Sequence, residues 1–447
     1  MRIEIIGVGG YNEVGKNMTV VKVGDEAVIL DIGLYLPSIV DFDESGGDRR
    51  NLTPKGLQRI GAIPDDSIVN SYGDNVKAIV SSHCHLDHIG AIPYLEDKYK
   101  CPIIGTPYTI EVLRSLARDE RINLKNKLLP TKTGTIVKVS KNIGVELIAV
   151  SHSTLDAAII AIHTPEGVII YTNDFKLDNK PFLGNKPNMK RLKELGNSGK
   201  VLALIVDSLY SSRAGKTPSE SVAREMLKDV MLGAENSGHA MLFTSFASHM
   251  SRLKSAIEFG KKLDRKIVFL GRSLAKYTKA AEAIGLVDFS KDVEITTYSK
   301  QVVNKLHEIE KKRDRYLIIS TGNQAEPNAI LTRIGDHRLP FKFAHNDHVI
   351  FSCTTIPVEP NITNRARLEK QLVKRGVRLY KDIHVSGHGS KEDMRDMIDI
   401  LKPALVIPGH GGKSTTSGAQ PIAEMVGYTV GKDFRYLSNG KKILLVK

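Results

Sequence analysis

Tryptophan is missing altogether, and aromatic residues make up only 6% of the chain. A nucleic-acid surface built mainly from stacked rings is therefore not expected; any stacking platform must be sparse. Cysteine occurs three times, at Cys84, Cys101 and Cys353, with no CxxC pair. That excludes a disulfide framework and a thiolate zinc finger, and it fits a reducing, cytoplasmic compartment. No stretch approaches the roughly 18 uninterrupted apolar residues of a membrane span. The opening MRIEIIGVGG alternates like a strand and breaks at glycine, without a charged leader, apolar stretch and cleavage site. Neither a secretory signal nor a membrane partner is expected. Internal repeats and low-complexity tails are also lacking.

What is present is length and positive charge. At 447 residues the chain should hold two or three domains, given about 100–200 residues per domain. Lys and Arg number 64 against 50 acidic residues, a formal charge of +14. This suits a polyanion such as RNA, because neutralising phosphates releases counterions; a generic basic surface would give the same count. Basic stretches that could track a backbone are Lys190, Arg191 and Lys193; Lys311, Lys312, Arg313 and Arg315; and Lys370, Lys374, Arg375 and Arg378. Each pattern is shared with a solvated helix face.

The first half reads as β-rich. NMTVVKVGDEAVILDI at 17–32 is a hairpin broken at Gly24-Asp25, and AAIIAIHTPEGVIIYTND at 157–174 is a second, turned at Pro165-Glu166-Gly167. Strand-like runs end at the cluster beginning with His83, at His152, at Asp174 and at Asp207. Groups at strand ends sit on loops held by a rigid sheet, the usual place for chemistry. From about 217 the texture changes. TPSESVAREMLKDVMLGA opens with a helix-start signal, and MLFTSF, KIVFLG, YLIIST and HVIFSC follow as strands separated by helical segments. That alternation predicts a parallel α/β sheet. After about 381 short strands return, with ALVIPGH ending at His410 and KKILLV beyond it.

The strongest local signal is His83-Cys84-His85-Leu86-Asp87-His88, three imidazoles and a carboxylate in six residues. One such histidine would ordinarily be a hydrogen-bonded surface residue. Four such groups in one tight loop cannot all aim at one ion but can divide between two: His83 and His85 toward one, Asp87 and His88 toward the other. His152, Asp174 and His410 could complete the pair, with Asp174 bridging. Zinc accepts neutral imidazole and carboxylate oxygen. Two ions about 3.5–4 Å apart can activate water and stabilise charge on a phosphoryl group. Cys84, interposed in the motif, is expected to be a small filler rather than a ligand.

HxHxDH followed by His, Asp and a late His resembles the ligand series of the metallo-β-lactamase fold, and Asp31 in VILDIGLYLP matches that fold's early aspartate, which supports the ligand loop rather than ligating. Further segments are similar to the β-CASP ribonucleases, and within them to the RNase J family: GGYNEVGKNM (9–18), SHCHLDHIGAIPY (82–94), SHSTLDA (151–157), NDFKLD (173–178), VDSLYSS with Asp207, STGNQAEP (320–327), VIFSCTTIPVEPN (349–361), HVSGHGS with His388 (384–390) and PGHGG with His410 (408–412). The likeness spans nearly the whole chain, and the short stretch beyond His410 resembles the archaeal members. Two departures are Asn173, where many relatives have glycine, and Ala247, where some have serine.

The resemblance implies an αββα metallo-β-lactamase sandwich (1–216 and 381–447) with an inserted β-CASP α/β domain (217–380). It implies two zinc ions on His83, His85, Asp87, His88, His152, Asp174 and His410, and single-stranded RNA as substrate. Asp87, His388 and Asp207 are the expected catalytic residues, His388 as general acid oriented by Asp207. Contacts to a 5′ phosphate are expected at His384, Ser386, Gly387, Ala247 and Ser248. The activity implied is 5′-to-3′ exoribonuclease cleavage preferring 5′-monophosphate RNA, with endonuclease cleavage also open, and the assembly implied is a homodimer. The rival readings are a mainly endonucleolytic β-CASP ribonuclease, a small-molecule hydrolase of the same fold and an RNA-binding factor without catalysis. A small-molecule hydrolase would need neither the Asp207 and His388 motifs nor the insertion; intact ligands argue against a factor that has lost catalysis. GHGGKS at 409–414 is not a phosphate loop, because the first glycine of that motif falls on Ile407. Gly7-Val8-Gly9-Gly10 likewise lacks the spacing of a dinucleotide turn.

Overall fold

A computed structural model describes residues 1–44, 51–356 and 358–446 of the chain. Pro357, within the VIFSCTTIPVEPN segment, lies outside the described residues. The chain forms two compact units. The first comprises Met1–Asn179, Gly184–Thr217 and Ser386–Lys447, and the second Lys180–Leu183 and Pro218–Val385.

The first unit is built on two sheets. One runs in the order Lys441–Val446, Ile3–Gly9, Met18–Val23, Glu26–Leu30, Val76–Ser81, Ile103–Gly105, Leu128–Pro130. The other runs Val406–Gly409, Val201–Asp207, Val168–Tyr171, Ala158–His163, Gly144–Ala149, Ile136–Lys138. Both predicted hairpins form, with Val20 opposite Ile29 and Ile169 opposite Ile162. Strand Val201–Asp207 is an apolar run because both its neighbours are parallel and both faces are covered. Ala203 and Ile205 face the core shared by the two sheets, with Ile5, Val28 and Val80. Leu204 and Val206 face the other way, onto Leu192 and Leu195 of helix Met189–Asn197 and Met394, Met397 and Ile398 of helix Lys391–Leu401.

Two helices correct the sequence reading, one in the β-rich first half and one after 381, where only short strands were expected. Helix Pro107–Asp119 starts with proline at its first position, where no backbone N–H is missed, and buries Ile110, Leu113 and Leu116 along one stripe. Helix Lys391–Leu401 is opened by a capping box between Ser390 and Asp393.

The second unit is one parallel sheet, Val293–Thr296, Lys266–Leu270, Tyr316–Ser320, Met241–Thr244, His348–Phe351, Arg378–Tyr380, interleaved with the predicted helices. Arg252 is fully buried there and is held by Glu220 through two bonds, Nε to Oε1 at 2.6 Å and Nη2 to Oε2 at 2.9 Å. Its Nη1 donates to the carbonyls of Ser352 (3.1 Å) and Ile383 (2.8 Å). The basic stretches are partly committed to carboxylates: Arg191 pairs with Glu146 and Glu194, and Arg313 with Glu310 and Asp347. Among the described residues no helix is long and apolar enough to cross a membrane.

Candidate metal centre

Strand ends converge at one edge of the first unit. Glu26–Leu30 delivers Asp31, Val76–Ser81 delivers Ser82 and His83, Val168–Tyr171 leads to Asp174, and Val406–Gly409 delivers His410. Three of these exits leave in the left-handed region: Asp31 at φ 58°, Asn173 at 49° and His410 at 61°. Asp, Asn and His are the non-glycine residues that best tolerate this conformation. Asn173 also donates Nδ2 to the Ala158 carbonyl at 2.6 Å. The HxHxDH loop is fixed by its backbone, Ile32 N donating to His88 O (2.8 Å), Leu34 N to Leu86 O (2.8 Å) and Asn17 N to Asp87 O (3.0 Å).

The side chains assemble into two sets sharing one carboxylate. His83, His85, His152 and Asp174 form the first; Asp87, His88, Asp174 and His410 form the second; within each, the ligand atoms lie within 4.8 Å of one another. Asp174 divides its oxygens. Oδ2 faces His83 Nε2 and His152 Nε2, each at 3.6 Å, while Oδ1 faces His88 Nε2 at 3.2 Å and His410 Nδ1 at 3.5 Å.

Outer partners dictate where the ring lone pairs point. His152 Nδ1 lies 2.8 Å from the Gly387 carbonyl, which can only accept, so this nitrogen carries the proton and Nε2 is bare. Asp31 Oδ2 accepts from His88 Nδ1 (2.7 Å), Ser82 Oγ (2.8 Å) and Tyr171 Oη (3.0 Å), and Oδ1 accepts from Ser82 N (2.8 Å). Ser82 Oγ, having given its proton to Asp31, accepts from His83 Nδ1 at 3.1 Å. His83 and His152 therefore present bare Nε2 atoms toward one buried carboxylate, and His88 turns its Nε2 to the same group. His85 Nδ1 approaches both His83 Nε2 and His152 Nε2 at 3.1 Å. Asp174 Oδ1 is buried without a hydrogen-bond donor. Acceptors facing acceptors in a buried site repel unless a cation lies among them, so the donor set fits two metal ions.

The electrostatics agree. Burial and neighbouring imidazoles hold His83 and His152 well below the ordinary histidine range, and burial takes His85 down to about 4, so these rings are neutral ligands. His88 differs: burial is outweighed by Asp174, Asp87 and Asp31, which raise its pKa and favour a proton on Nε2, the atom turned to Asp174, in the place a cation would take. Asp174 stays ionised despite burial because His410 and His88 face it.

His388 stands beside the shared carboxylate, its Nε2 at 3.8 Å from Asp174 Oδ2 and its Nδ1 at 2.8 Å from Asp207 Oδ2. Burial alone would lower its pKa; the Asp207 and Asp174 carboxylates outweigh that and push it up to about 9. Its backbone is fastened too: the N–H donates to Ser386 Oγ at 2.9 Å, and the carbonyl accepts from Thr217 Oγ1 at 2.7 Å. Ser386 and Gly387 belong to the first unit, and His384, Ala247 and Ser248 to the second. Cys84 is buried, its Sγ 3.0 Å from Thr154 Oγ1, and stands in neither ligand set. Sequence reasoning missed Asn17, Ser82, Tyr171 and Thr217. Asn17 links the late histidine to the loop, with Oδ1 at 3.2 Å from His410 Nδ1 and Nδ2 donating to Asp87 O at 3.0 Å and lying 3.1 Å from His88 Nε2. Its only sequence signal was its place in the GGYNEVGKNM turn.

Comparison with known proteins names the arrangement. Residues 11–205 match the metallo-beta-lactamase superfamily, residues 238–367 the beta-CASP domain of ribonuclease J, and residues 376–430 the RNA specificity domain of Zn-dependent metallo-hydrolases. The chain is 41% identical over 443 residues to ribonuclease J of Methanocaldococcus jannaschii, covering 99% of this chain and 98% of the relative. The chain belongs to the ribonuclease J family. Ribonuclease J of Pyrococcus abyssi is likewise 41% identical, over 98% of this chain and 96% of that protein. A solved structure of a protein of unknown function from Enterococcus faecalis V583 superposes with a TM-score of 0.66 at 18% identity, over 99% of this chain and 100% of that one, a likeness of fold. The protein is thus a hydrolytic ribonuclease of RNase J type, with a metallo-β-lactamase domain and an inserted β-CASP domain.

Proposed function

We propose that this RNase J-type ribonuclease is a zinc-dependent 5′-to-3′ exoribonuclease that prefers RNA bearing a 5′ monophosphate and leaves 5′-phosphate and 3′-hydroxyl ends. The observation that carries the reading is the divided Asp174 carboxylate, one oxygen toward each imidazole set, with the Asp207-paired His388 alongside. His83, His85, His152 and Asp174 would hold one ion, and Asp87, His88, Asp174 and His410 the other. When bound, such a pair supplies an activated water and neutralises charge on the phosphoryl group. Asp31, Ser82 and the Gly387 carbonyl hold the ring protons on the outer nitrogens, so ligand orientation is set before substrate arrives. His388 keeps its Nδ1 proton on Asp207 and offers its Nε2 proton to the leaving 3′ oxygen as general acid.

His384, Ser386, Gly387, Ala247 and Ser248 keep their proposed role as contacts to the 5′ phosphate, on the family likeness. The domain limits 1–216, 217–380 and 381–447 are proposed as well; chain crossings at Thr217/Pro218 and Val385/Ser386 support them. A cytoplasmic location is supported by Cys84, Cys101 and Cys353, all buried and none in a disulfide among the described residues, and a homodimer rests on the family likeness and is checked by light scattering. The deciding experiment offers internally labelled RNA with 5′ monophosphate, triphosphate or hydroxyl. Mononucleotide release favoured by the monophosphate, lost on chelation and in Asp87→Ala and His85→Ala, is expected. Discrete internal fragments regardless of end chemistry would overturn the exonuclease reading.

A further inference from the structure

The GHGGKS stretch, rejected as a phosphate loop, still borders a feature that the metal chemistry does not use. It helps to line a cavity of about 370 Å³ in the first unit, within the roughly 300–1,000 Å³ of small-molecule sites. Tyr11 is a wall of both this cavity and the cleft at the metal centre. The Tyr11 hydroxyl is engaged with Thr19 Oγ1 at 2.7 Å, so the ring is a fixed partition.

The lining is chemically one-sided. Lys413 is its one ionisable cation, and no carboxylate lines it. The Lys413 ammonium lies 5.5 Å from the centroid of the Tyr436 ring, and no ion pair engages it among the described residues. Ser414 and Ser438 contribute hydroxyls. Gly411 and Gly412 bring bare backbone to the wall, and a Cβ on Gly412 would come within 2.7 Å of the Asn12 carbonyl, so this close approach requires glycine. A cation and hydroxyls suit a phosphate, and a tyrosine face beside them suits a base. Inorganic phosphate would leave the ring unused; an uncharged nucleoside would leave the lysine unused.

We propose that this cavity is a binding site for a nucleoside 5′-monophosphate, separate from the metal centre and reached through Lys413 and Tyr436. The ligand could come from two sources, a free mononucleotide or a nucleotide of an RNA strand, which share this chemistry. The test is equilibrium dialysis of AMP against the full zinc-loaded chain, with adenosine, inorganic phosphate and a 5′-phosphorylated oligoribonucleotide as comparators. Saturable AMP binding is expected, weakened about tenfold or more by Lys413→Met, the loss of one charge-assisted contact, weakened also by Tyr436→Leu, and retained in Lys413→Arg. Adenosine and phosphate should each bind at least about tenfold less tightly than AMP, for the same reason. Lys413 is exposed, so its replacement leaves the fold intact, which the melting temperature checks. Displacement of AMP by the oligoribonucleotide, itself dependent on Lys413, assigns the site to an RNA strand; failure to displace assigns it to free mononucleotide. Undetectable AMP binding, or binding unchanged in both Lys413→Met and Tyr436→Leu, overturns the proposal.

Discussion

Asp31→Asn should disable half of the metal centre without touching a ligand. The carboxylate is fully buried and accepts four hydrogen bonds, three on Oδ2 and one on Oδ1. An asparagine must place its NH2 at one of these positions. At Oδ2 it would face His88 Nδ1, Ser82 Oγ and Tyr171 Oη; at Oδ1 it would face the Ser82 N–H. Either way a buried donor meets a donor, which costs about 1–3 kcal/mol. The backbone is not at issue, because asparagine tolerates the φ of 58° held here. The larger effect is on His88. With the carboxylate gone, its proton is free to move to Nε2, the atom facing Asp174 at 3.2 Å, where it would block a metal. Removing such an outer partner typically costs about 10–100-fold in metal affinity, or roughly 1.4–2.8 kcal/mol. The loss should be confined to the set formed by Asp87, His88, Asp174 and His410. His152 has its own anchor in Gly387 O, and His83 keeps Ser82. Competitive zinc titration against a chromophoric chelator reads this directly: one step weakened within that range, the other within about threefold of its original affinity. If both steps stayed unchanged, the tautomer argument would be wrong.

Three further outcomes follow from the same contacts. His388→Ala should lower kcat by about 10²–10⁴-fold with zinc content unchanged, and Asp207→Asn should fall short of that; single-turnover rates with parallel metal analysis check both, and a loss of zinc in His388→Ala would contradict its role as acid. Arg252→Met leaves Glu220 buried without its guanidinium partner, so urea unfolding should show a loss of about 3–5 kcal/mol, partly recovered in the double variant with Glu220→Leu; a loss under about 1 kcal/mol would place the pair among dispensable surface bridges. Glu146 is pushed up by burial but pulled further down by hydrogen bonds from His163 and Arg191. Its folded pKa is thus below its unfolded one, and its contribution is complete above the ordinary glutamate value near 4.5 and fades as pH falls through the lowered folded value. The stability gap between wild type and Glu146→Gln should be wide at neutral pH and close in acid, and a gap that widened in acid would refute the sign.

Much of the centre was legible in the chain because its chemistry is local. HxHxDH is a cluster that few structural needs explain, and each later residue of the two sets stands at the end of an apolar run, so a sheet had to bring it to an edge. What lay hidden depends on tertiary neighbours. Asn17 and Tyr171 matter through hydrogen bonds to residues far along the chain, and neither spacing nor type distinguishes them from ordinary polar residues in a strand. The helix at 107–119 escaped notice because Tyr108, Thr109, Ile110 and Val112 are strand-favouring types; burial against the sheet overrides that preference. The basic stretches were left open between an RNA track and a solvated face, because charge in sequence says nothing of partners; Arg191 and Arg313 pair with buried carboxylates.

The deeper regularity is that the site is organised by proton placement more than by ligand identity. Seven ligands could crowd one edge of a sheet and still bind nothing if their rings carried protons on the inner nitrogens. Asp31, Ser82 and the Gly387 carbonyl oppose this for His88, His83 and His152, and Asp207 does the same for His388, keeping the Nδ1 proton so that Nε2 is the atom beside Asp174. The candidate centre therefore sets neutral imidazoles, His83 and His152, around a carboxylate that has, 3.8 Å away, an imidazole whose pKa is raised, His388. The backing groups sort the rings by charge: a carboxylate stands behind Nδ1 of both His88 and His388, whose pKa values are raised, and neutral acceptors stand behind His83 and His152, whose values are lowered.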